Sequence, residues 1–351
     1  DIVNQCWQER KTNDIEDLIT RNRSFGLFGK PGRGKTYTAH MIKEIIEKQN
    51  KKVIATSLAH QAVNNLKNHN IHSCVIKSLF SLKKGQSEVS KLKELKIKYD
   101  YIIVDEYTIC GQKDIETFYK LYKIGVKIIF IGDYHQLAPI DTHRKLNYRK
   151  SYMFMEMCNF NYIELTKNHR FDKRLDDVIT KVYDKGILEN LMNRFDKKDC
   201  FYNISYTNKT SIMVNKKFSD KNKNMDSVLI NNWYCVKGSP IICKFNKIKD
   251  GFFNNKSFIL NDWDDKNYYL NCDDDNDEQV IQISKELAER KTKNGDFNIE
   301  LGHCMTCHSA QGSTLKGDVR IWDLNHRRMT REFLYTAMSR ATALKHIYIE
   351  C

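Results

Sequence analysis

The fold of this sequence is decided by the stretch Gly29-Lys30-Pro31-Gly32-Arg33-Gly34-Lys35-Thr36. Before it, the short and mostly apolar run Ser24–Phe28 predicts a buried strand, and after it the apolar spacing of Tyr37–Lys48 predicts a helix. A strand, a glycine-rich turn and a helix are the context that the G-x-x-x-x-G-K-[ST] pattern requires. We therefore predict an α/β domain with a phosphate-binding loop.

The residue types of this loop suit a nucleotide. Glycines let the backbone turn tightly, so that successive N–H groups point at phosphate oxygens, and the start of the helix adds its positive dipole end. Lys35 is expected to reach the β- and γ-phosphates, and the Thr36 hydroxyl to bind Mg²⁺. The predicted nucleotide-binding positions are Gly29, Gly32, Gly34, Lys35 and Thr36.

A second apolar run, Tyr101–Val104, ends in two carboxylates, Asp105 and Glu106. Ligands of open α/β sheets bind at the carboxyl ends of the strands, which is where these acids lie. We expect Asp105 to bind Mg²⁺ and Glu106 to orient and deprotonate the attacking water.

A third apolar run, Val126–Ile131, leads into the turn Gly132–Gln136. The Gln136 amide can hydrogen-bond a γ-phosphate without adding charge, and so can report whether that phosphate is present. Together the three segments predict hydrolysis of ATP with Mg²⁺ as cofactor.

The chain is basic, with 58 Lys and Arg against 44 Asp and Glu and a net charge of +14. This surplus suits a polyanionic partner, although a soluble basic protein would show it too. No apolar run approaches the roughly 20 residues of a membrane span, and the 11 cysteines read as reduced thiols. We expect no membrane partner and an intracellular protein, in the nucleus or cytoplasm. The start at Asp1 predicts an excised fragment, and the Lys, Asn and Ile content hints at a virus or a parasite, with a viral replication site as the location if the protein is viral.

In this order, the three segments resemble motifs I, II and III of superfamily 1 helicases. Thr56–His60 resembles motif Ia, and Val75–Phe80 resembles a block of the RecD, Dda and Pif-type branch, with Lys77 where His is usual. The resemblance implies nucleic-acid contacts at Thr56, His60 and Lys77. It also implies a glutamine upstream of the loop that reads adenine, for which Gln5 and Gln8 are both candidates.

The resemblance continues to the end of the chain. Glu164–Arg170 resembles motif IV, Ile204–Asn208 the strand that opens the second motor domain, Met305–Thr314 motif V and Tyr335–Ala341 motif VI. It implies that two distant arginines of the second domain stabilise charge on the γ-phosphoryl group. The implied residues are Arg170 and Arg340 as these arginines, Gln311 and Gly312 at the nucleotide, and Thr207, Thr306 and His308 at nucleic acid.

The fold expected from this resemblance is two tandem RecA-like α/β domains, residues 1–160 and 161–351, with ATP in the cleft between them. A short basic segment, 81–98, stands at the place of the family's wedge, although a solvated lysine face explains it equally well. Short alternating segments at about 243–300 predict a β-rich, SH3-like insertion in the second domain.

The predicted function is an ATP-dependent helicase that moves 5′-to-3′ on single-stranded DNA and unwinds duplex junctions. It is expected to act as a monomer, as the helicase domain of a larger viral replication protein, with other replication or repair proteins as partners. An RNA helicase and an ATP-gated nucleic-acid clamp without unwinding are the alternatives. Two further patterns resemble metal sites only weakly: a zinc site at His303–His308, where motif V is the better interpretation, and a calcium loop at Asp273, Asp275 and Asp277, where a hairpin turn is the better interpretation.

Overall fold

A computed structural model describes residues 6–137, 148–170, 172–185, 199–272, 280–293, 295–327 and 329–349. Its internal contacts divide the chain into a first unit, Asp1–Phe171, and a second unit, Asp172–Cys351. The predicted limit at residue 160 is therefore too early. The reason is the strand Asn161–Leu165, which pairs with strands of the first unit and extends that unit past the predicted limit.

The first unit is built on a seven-stranded sheet in which every neighbouring pair of strands is parallel. The order across the sheet is β1-β7-β2-β6-β5-β3-β4. The strands are β1 Gln8–Arg10, β2 Phe25–Gly29, β3 Val53–Ser57, β4 Ser73–Val75, β5 Tyr101–Asp105, β6 Lys127–Gly132 and β7 Asn161–Leu165.

Helices and apolar side chains cover both faces of this sheet, which is why the strands are continuous apolar runs in the sequence. On β5, Ile102 and Val104 join a core cluster that contains Phe118, while Tyr101 and Ile103 join a second cluster that contains Ile42. The helices of this unit are Ile15–Thr20, Lys35–Lys48, His60–Asn68, Ile76–Leu79, Glu88–Lys98, Gln112–Lys123 and Tyr152–Met157, with 3-10 turns at Thr12–Asp14, Tyr107–Ile109 and Tyr148–Lys150.

The segment predicted as a short wedge contains the helix Glu88–Lys98. Leu92 and Leu95 are buried in the core of the first unit, and most of the lysines face outward. This is the amphipathic pattern of a helix packed on a sheet. A role in strand separation stays a prediction.

The second unit contains a four-stranded parallel sheet in the order β16-β8-β17-β18. These strands are β8 Tyr202–Ser205, β16 Cys304–Thr306, β17 Val319–Ile321 and β18 Ile347–Ile349. The helices of this unit are Lys173–Lys185, Asn208–Asn222, Lys285–Ala288 and Arg331–Met338, with 3-10 turns at Ile248–Asp250 and Leu344–His346.

Between β8 and β16 the chain forms a five-stranded antiparallel sheet in the order β14-β13-β12-β11-β15, and a hairpin of β9 and β10. The predicted β-rich insertion is confirmed, and its sheet runs from Pro240 to Leu301. The tip between β12 and β13 carries exposed Asp264 and Asp265, whereas Asp273–Glu278 lies outside the described residues. The strands are β9 Val228–Ile230, β10 Trp233–Cys235, β11 Pro240–Cys243, β12 Ser257–Trp263, β13 Asn267–Cys272, β14 Val280–Ser284 and β15 Ile299–Leu301.

None of the helices in the described part of the chain combines the length and the apolar character that crossing a membrane requires.

Candidate functional site

The loop between β2 and the helix Lys35–Lys48 takes a conformation that depends on glycine. Gly32 and Gly34 have φ of 73° and 79°, the left-handed region that side chains disfavour, and Gly34 caps the helix. At Gly29 a Cβ atom would lie 3.0 Å from the carbonyl oxygen of Leu165 on the adjacent strand. The predicted glycines are therefore required by backbone geometry and by close packing.

The Lys35 side chain folds over this loop. Its Nζ atom donates to the carbonyl oxygens of Gly29, at 2.9 Å, and of Lys30, at 3.3 Å. Thr36, the next residue, is half-buried in the first turn of the helix. Phosphate oxygens are stronger acceptors for an ammonium group than neutral carbonyls, so this amine can exchange loop contacts for a bound phosphate.

The two carboxylates at the end of β5 are close to this lysine. Asp105 is 6% exposed, and its Oδ1 atom accepts a hydrogen bond from the Glu106 backbone N–H at 3.0 Å. Burial raises the pKa of Asp105, and the charge of Glu106 raises it further, while the charge of Lys35 lowers it. Asp105 therefore lies within electrostatic reach of the phosphate-binding loop.

Glu106 combines an unusual backbone with an unsatisfied side chain. Its φ is 52°, which is the left-handed region and costs a non-glycine residue free energy. Its Oε2 atom is buried and has no hydrogen-bond partner among the described residues. Strain and an orphaned carboxylate oxygen are both features of a site that a ligand completes.

The donor set fits Mg²⁺, because an orphaned buried carboxylate next to a buried Asp105 needs a compensating cation. Thr36 and Asp105 would hold the ion. No cluster of three or more His, Cys, Asp or Glu residues able to hold a metal occurs in the described part of the chain, so nucleotide phosphates would have to complete its coordination. When bound, Mg²⁺ neutralises charge on the transferred phosphoryl group.

Gln136 lies in a tight turn just after β6, which is the neighbour of both β2 and β5. Its backbone N–H donates to the Asp133 carbonyl oxygen at 3.1 Å, and the Asp133 carboxylate accepts from the His135 N–H at 3.0 Å. Gln136 itself is 6% exposed. The sheet order thus brings the ends of β2, β5 and β6 to one edge, as the sequence predicts.

A cavity of about 700 Å³ adjoins the phosphate-binding loop within the first unit. The segment after β7 forms one wall, and the His169 backbone N–H donates to the Gly32 carbonyl oxygen at 2.9 Å. Tyr37 and Met41, which no motif indicates, also line this cavity, and only their position on the helix that follows the phosphate-binding loop points to them. The lining residues are Thr12, Arg33, Gly34, Tyr37, Thr38, Met41, Glu164, Leu165, Thr166, Lys167 and His169.

The two glutamines proposed for adenine remain undecided. Gln8 is exposed on β1, where its Oε1 atom accepts a hydrogen bond from Arg10 at 2.8 Å. Gln5 lies outside the described residues.

The two arginines lie in different units. Arg170 is an exposed residue of the first unit, which corrects its expected place in the second domain, because β7 belongs to the first sheet and the segment after it to the first unit. Arg340 belongs to the second unit and is 5% exposed. Its guanidinium donates to Thr336 O at 3.1 Å, to Ser313 O at 3.1 Å and to Ser339 Oγ at 2.8 Å.

These bonds tie Arg340 to the loop that contains Gln311 and Gly312. Both residues are half-buried, and Gly312 has φ of 82°. The motif V and motif VI segments are thus one hydrogen-bonded assembly within the second unit. That these residues act on a nucleotide stays a prediction.

The residues of the first unit that are predicted to contact nucleic acid differ in their exposure. Thr56 is completely buried, and its hydroxyl donates to the Cys74 carbonyl oxygen at 2.8 Å. The contact of Thr56 with nucleic acid stays a prediction. His60 is half-buried and Lys77 is exposed. Burial lowers the pKa of His60, and the charges of Lys67 and Lys77 lower it further, so both lysines lie within electrostatic reach of the His60 ring.

The nucleic-acid positions of the second unit lie at the ends of β8 and β16. Thr207 caps the helix Asn208–Asn222, with its Oγ1 atom accepting from the Thr210 N–H at 3.1 Å. Thr306 makes a hydroxyl contact of 3.1 Å with Ser309, and His308 is half-buried. All three are partly exposed, and contact with nucleic acid stays a prediction for them.

Three of the four possible zinc ligands, His303, Cys304 and Cys307, are part of the core. His303 stacks on Phe218 with ring centroids 3.9 Å apart, and burial lowers its pKa to about 4. Burial raises the pKa of Cys304 and of Cys307 to about 12, so both thiols stay protonated at neutral pH. No group of three or more His, Cys, Asp or Glu residues able to hold a metal is found here or elsewhere among the described residues.

A glycine-dependent phosphate loop at the carboxyl edge of a parallel sheet, with a buried Asp105 and the adjacent Glu106 at the end of β5, defines a P-loop nucleotide-binding protein. The chain belongs to the AAA domain family, whose match covers residues 10–201. It is also 26% identical over 229 residues to the RecBCD enzyme subunit RecD of Buchnera aphidicola subsp. Acyrthosiphon pisum (strain APS). That similarity covers 57% of this chain and 37% of the relative, so the chain spans little more than a third of its length.

Solved structures of similar fold are Pif1 helicases. Bacteroides Pif1 bound to ssDNA has a TM-score of 0.68 and 20% identity, covering 97% of this chain and 91% of that chain. Pif1 helicase from Candida albicans has a TM-score of 0.69 and 15% identity, covering 96% and 93%. The predicted fold of tandem RecA-like domains is confirmed, and the chain is similar in sequence to a RecD subunit and in fold to Pif1 helicases.

Proposed function

We propose that this chain hydrolyses ATP to move along single-stranded DNA in the 5′-to-3′ direction and to unwind duplex DNA. The observation that carries the proposal is the Asp105–Glu106 pair, with Asp105 buried and one buried Glu106 oxygen orphaned, at the same sheet edge as the Lys35 loop. A structural salt bridge would have paired this oxygen, whereas a general base must keep it free for water.

Each residue of the edge has one task in hydrolysis. Lys35 leaves the loop carbonyls and binds the β- and γ-phosphates, while the loop N–H groups bind the remaining oxygens. Glu106 accepts a proton from the attacking water, and Gln136 hydrogen-bonds the γ-phosphate. The adjoining cavity, which is of ordinary ligand size, takes the base and ribose.

A nucleic-acid partner is supported by charge and by the relatives. The net charge of +14 favours a polyanion, and His60, with Lys67 and Lys77 within its electrostatic reach, gives the first unit a basic site near the ends of β3 and β4. Bacteroides Pif1 has been solved with ssDNA and with ADP-AlF3 and ssDNA. The same substrate class and nucleotide are proposed here.

The direct test measures ATP turnover with and without single-stranded DNA for the parent and for Glu106→Gln. The exposed residue Glu116 gives a matched control, Glu116→Gln, on the outer face of its helix. We expect strong stimulation by DNA in the parent and in the control. Glu106→Gln should bind ATP and DNA but lose turnover by about 10²-fold or more, the scale of a general base.

ATP turnover in the parent that single-stranded DNA does not stimulate would contradict the motor function. Full turnover in Glu106→Gln would remove Glu106 as the base, and with it the observation on which the proposal rests.

A further inference from the structure

Arg149, which no motif singles out, lies between aromatic rings of two different elements. Its guanidinium carbon is 4.4 Å from the ring centroid of Tyr134 and 5.0 Å from that of Tyr162, with Phe28 at 5.9 Å. Arginine stacked on aromatic faces at these distances is held by cation–π attraction and by contact of the planar group. Arg149 therefore joins the elements to which the tyrosines belong.

The first of these elements is the turn that carries Gln136. Tyr134 lies two residues before Gln136, and the Asp133–Gln136 turn is held by three contacts of Asp133: with the Gln136 N–H, the His135 N–H and the His135 ring, the last at 2.9 Å. A turn with this many internal bonds moves as one piece. A displacement of the Tyr134 ring would therefore displace the Gln136 amide.

The second element is β7, which carries Tyr162 and continues into the wall of the nucleotide cavity. Glu164 lines that cavity, and His169 bonds the Gly32 carbonyl oxygen of the phosphate-binding loop. The Tyr134 hydroxyl lies 3.5 Å from the Glu164 carboxylate. Burial raises the pKa of Glu164 and the charge of Arg149 opposes this rise, so Arg149 is also near the cavity wall.

Arg149 is itself fixed by its backbone. Its carbonyl oxygen accepts a hydrogen bond from the Trp7 indole N–H at 2.8 Å, and Trp7 packs edge-on against Phe28 and Tyr162. The backbone of Arg149 is thus tied to the aromatic cluster on which its guanidinium stacks.

We propose that Arg149 is a positioning residue that fixes the Tyr134–Gln136 turn against β7, so that the γ-phosphate contact of Gln136 is set by the same strand that lines the nucleotide cavity. This inference rests on the proposed ATP hydrolysis. Arg149 touches no reacting atom. Its loss should misplace Gln136 in the transition state more than it weakens ATP binding.

The test compares kcat and KM for ATP in the parent, Arg149→Ala, Arg149→Lys and Lys123→Ala. Lys123 is the matched control, because it too makes a cation–π contact with a tyrosine, 5.2 Å from the Tyr119 ring, and it lies at the end of a helix of the same unit. For Arg149→Ala we expect kcat to fall about tenfold, with KM changed less than about twofold. Arg149→Lys, which keeps the charge, should recover part of kcat, and Lys123→Ala should match the parent.

A second variant, Tyr134→Leu, removes the ring on which the Arg149 guanidinium stacks. It tests the same contact if Arg149→Ala folds poorly. The Arg149→Ala/Tyr134→Leu double variant should be no slower than the slower single variant, because both remove one contact. Equal kcat in the parent and Arg149→Ala, or a double variant whose losses multiply, would overturn the inference. If single-stranded DNA does not stimulate ATP turnover in the parent, the proposed motor function is contradicted, but the kcat values of the parent and the variants can still be compared.

Discussion

Replacing Thr56 with valine separates a structural role from a nucleic-acid contact at this position. The Thr56 side chain is completely buried on β3, and its hydroxyl donates to the Cys74 carbonyl oxygen on β4 at 2.8 Å. Valine has nearly the same shape and keeps the β-branch that strands favour, but it cannot donate. The substitution therefore removes one buried hydrogen bond and leaves the packing almost unchanged.

The size of the effect follows from that single bond. Loss of a buried hydrogen bond with one partner left in place costs about 1–3 kcal/mol of unfolding free energy. For a unit of this size, such a loss lowers the melting temperature by roughly 2–4 °C per kcal/mol. Affinity for single-stranded DNA should stay within about twofold of the parent, because the hydroxyl does not reach the surface.

Thermal unfolding and fluorescence anisotropy with a labelled oligonucleotide measure the two quantities. Thr117→Val is the matched control, since Thr117 donates to the Lys113 carbonyl oxygen at 2.9 Å on a helix surface and its loss should cost under about 0.5 kcal/mol. The reasoning is refuted if Thr56→Val melts like the parent and binds DNA several-fold more weakly. In that case Thr56 contacts nucleic acid, as the family resemblance implies.

Two further predictions test the phosphate-binding loop and the burial of His303 in the second unit. Gly34→Ala should cost about 1–2 kcal/mol of stability and abolish measurable ATP binding. The control Gly85→Ala, at a glycine with the same φ of 79° and open space around it, should cost a similar free energy and leave ATP binding unchanged. Equal ATP affinity in the two variants would contradict the loop assignment. The folded-state pKa of His303 is lowered to about 4 from 6.5, so its stabilising effect is complete above pH 6.5 and is lost as the pH falls toward 4. Urea unfolding should show the parent losing about 2 kcal/mol more than His303→Phe between pH 7 and pH 5, and parallel losses would show that His303 is not buried as described.

Much of the nucleotide site is predictable because its motifs are contiguous in sequence. Strand, loop and helix around Lys35 are local, and the carboxylates at Asp105 and Glu106 end an apolar run, so a single pattern locates each. The sheet edge that gathers them follows from the rule that parallel strands present ligands at their carboxyl ends.

The features that the sequence could not reveal depend on pairing between distant segments. The first unit extends past residue 160 because Asn161–Leu165 pairs with β1 and β2, far away in sequence. Burial of Thr56 depends on the neighbours that cover β3, and no local pattern marks it. Arg149 acquires its neighbours only when Tyr134 and Tyr162 are brought together by the fold.

The motor itself is tested most directly by strand displacement on matched duplexes that carry either a 5′ or a 3′ single-stranded tail, in the presence of ATP and Mg²⁺. The parent should separate the duplex with the 5′ DNA tail, and Glu106→Gln should bind that substrate without separating it. Preference for the 3′ tail would contradict the direction, faster unwinding of a matched RNA duplex would contradict the substrate, and binding without unwinding of any substrate would indicate an ATP-gated clamp.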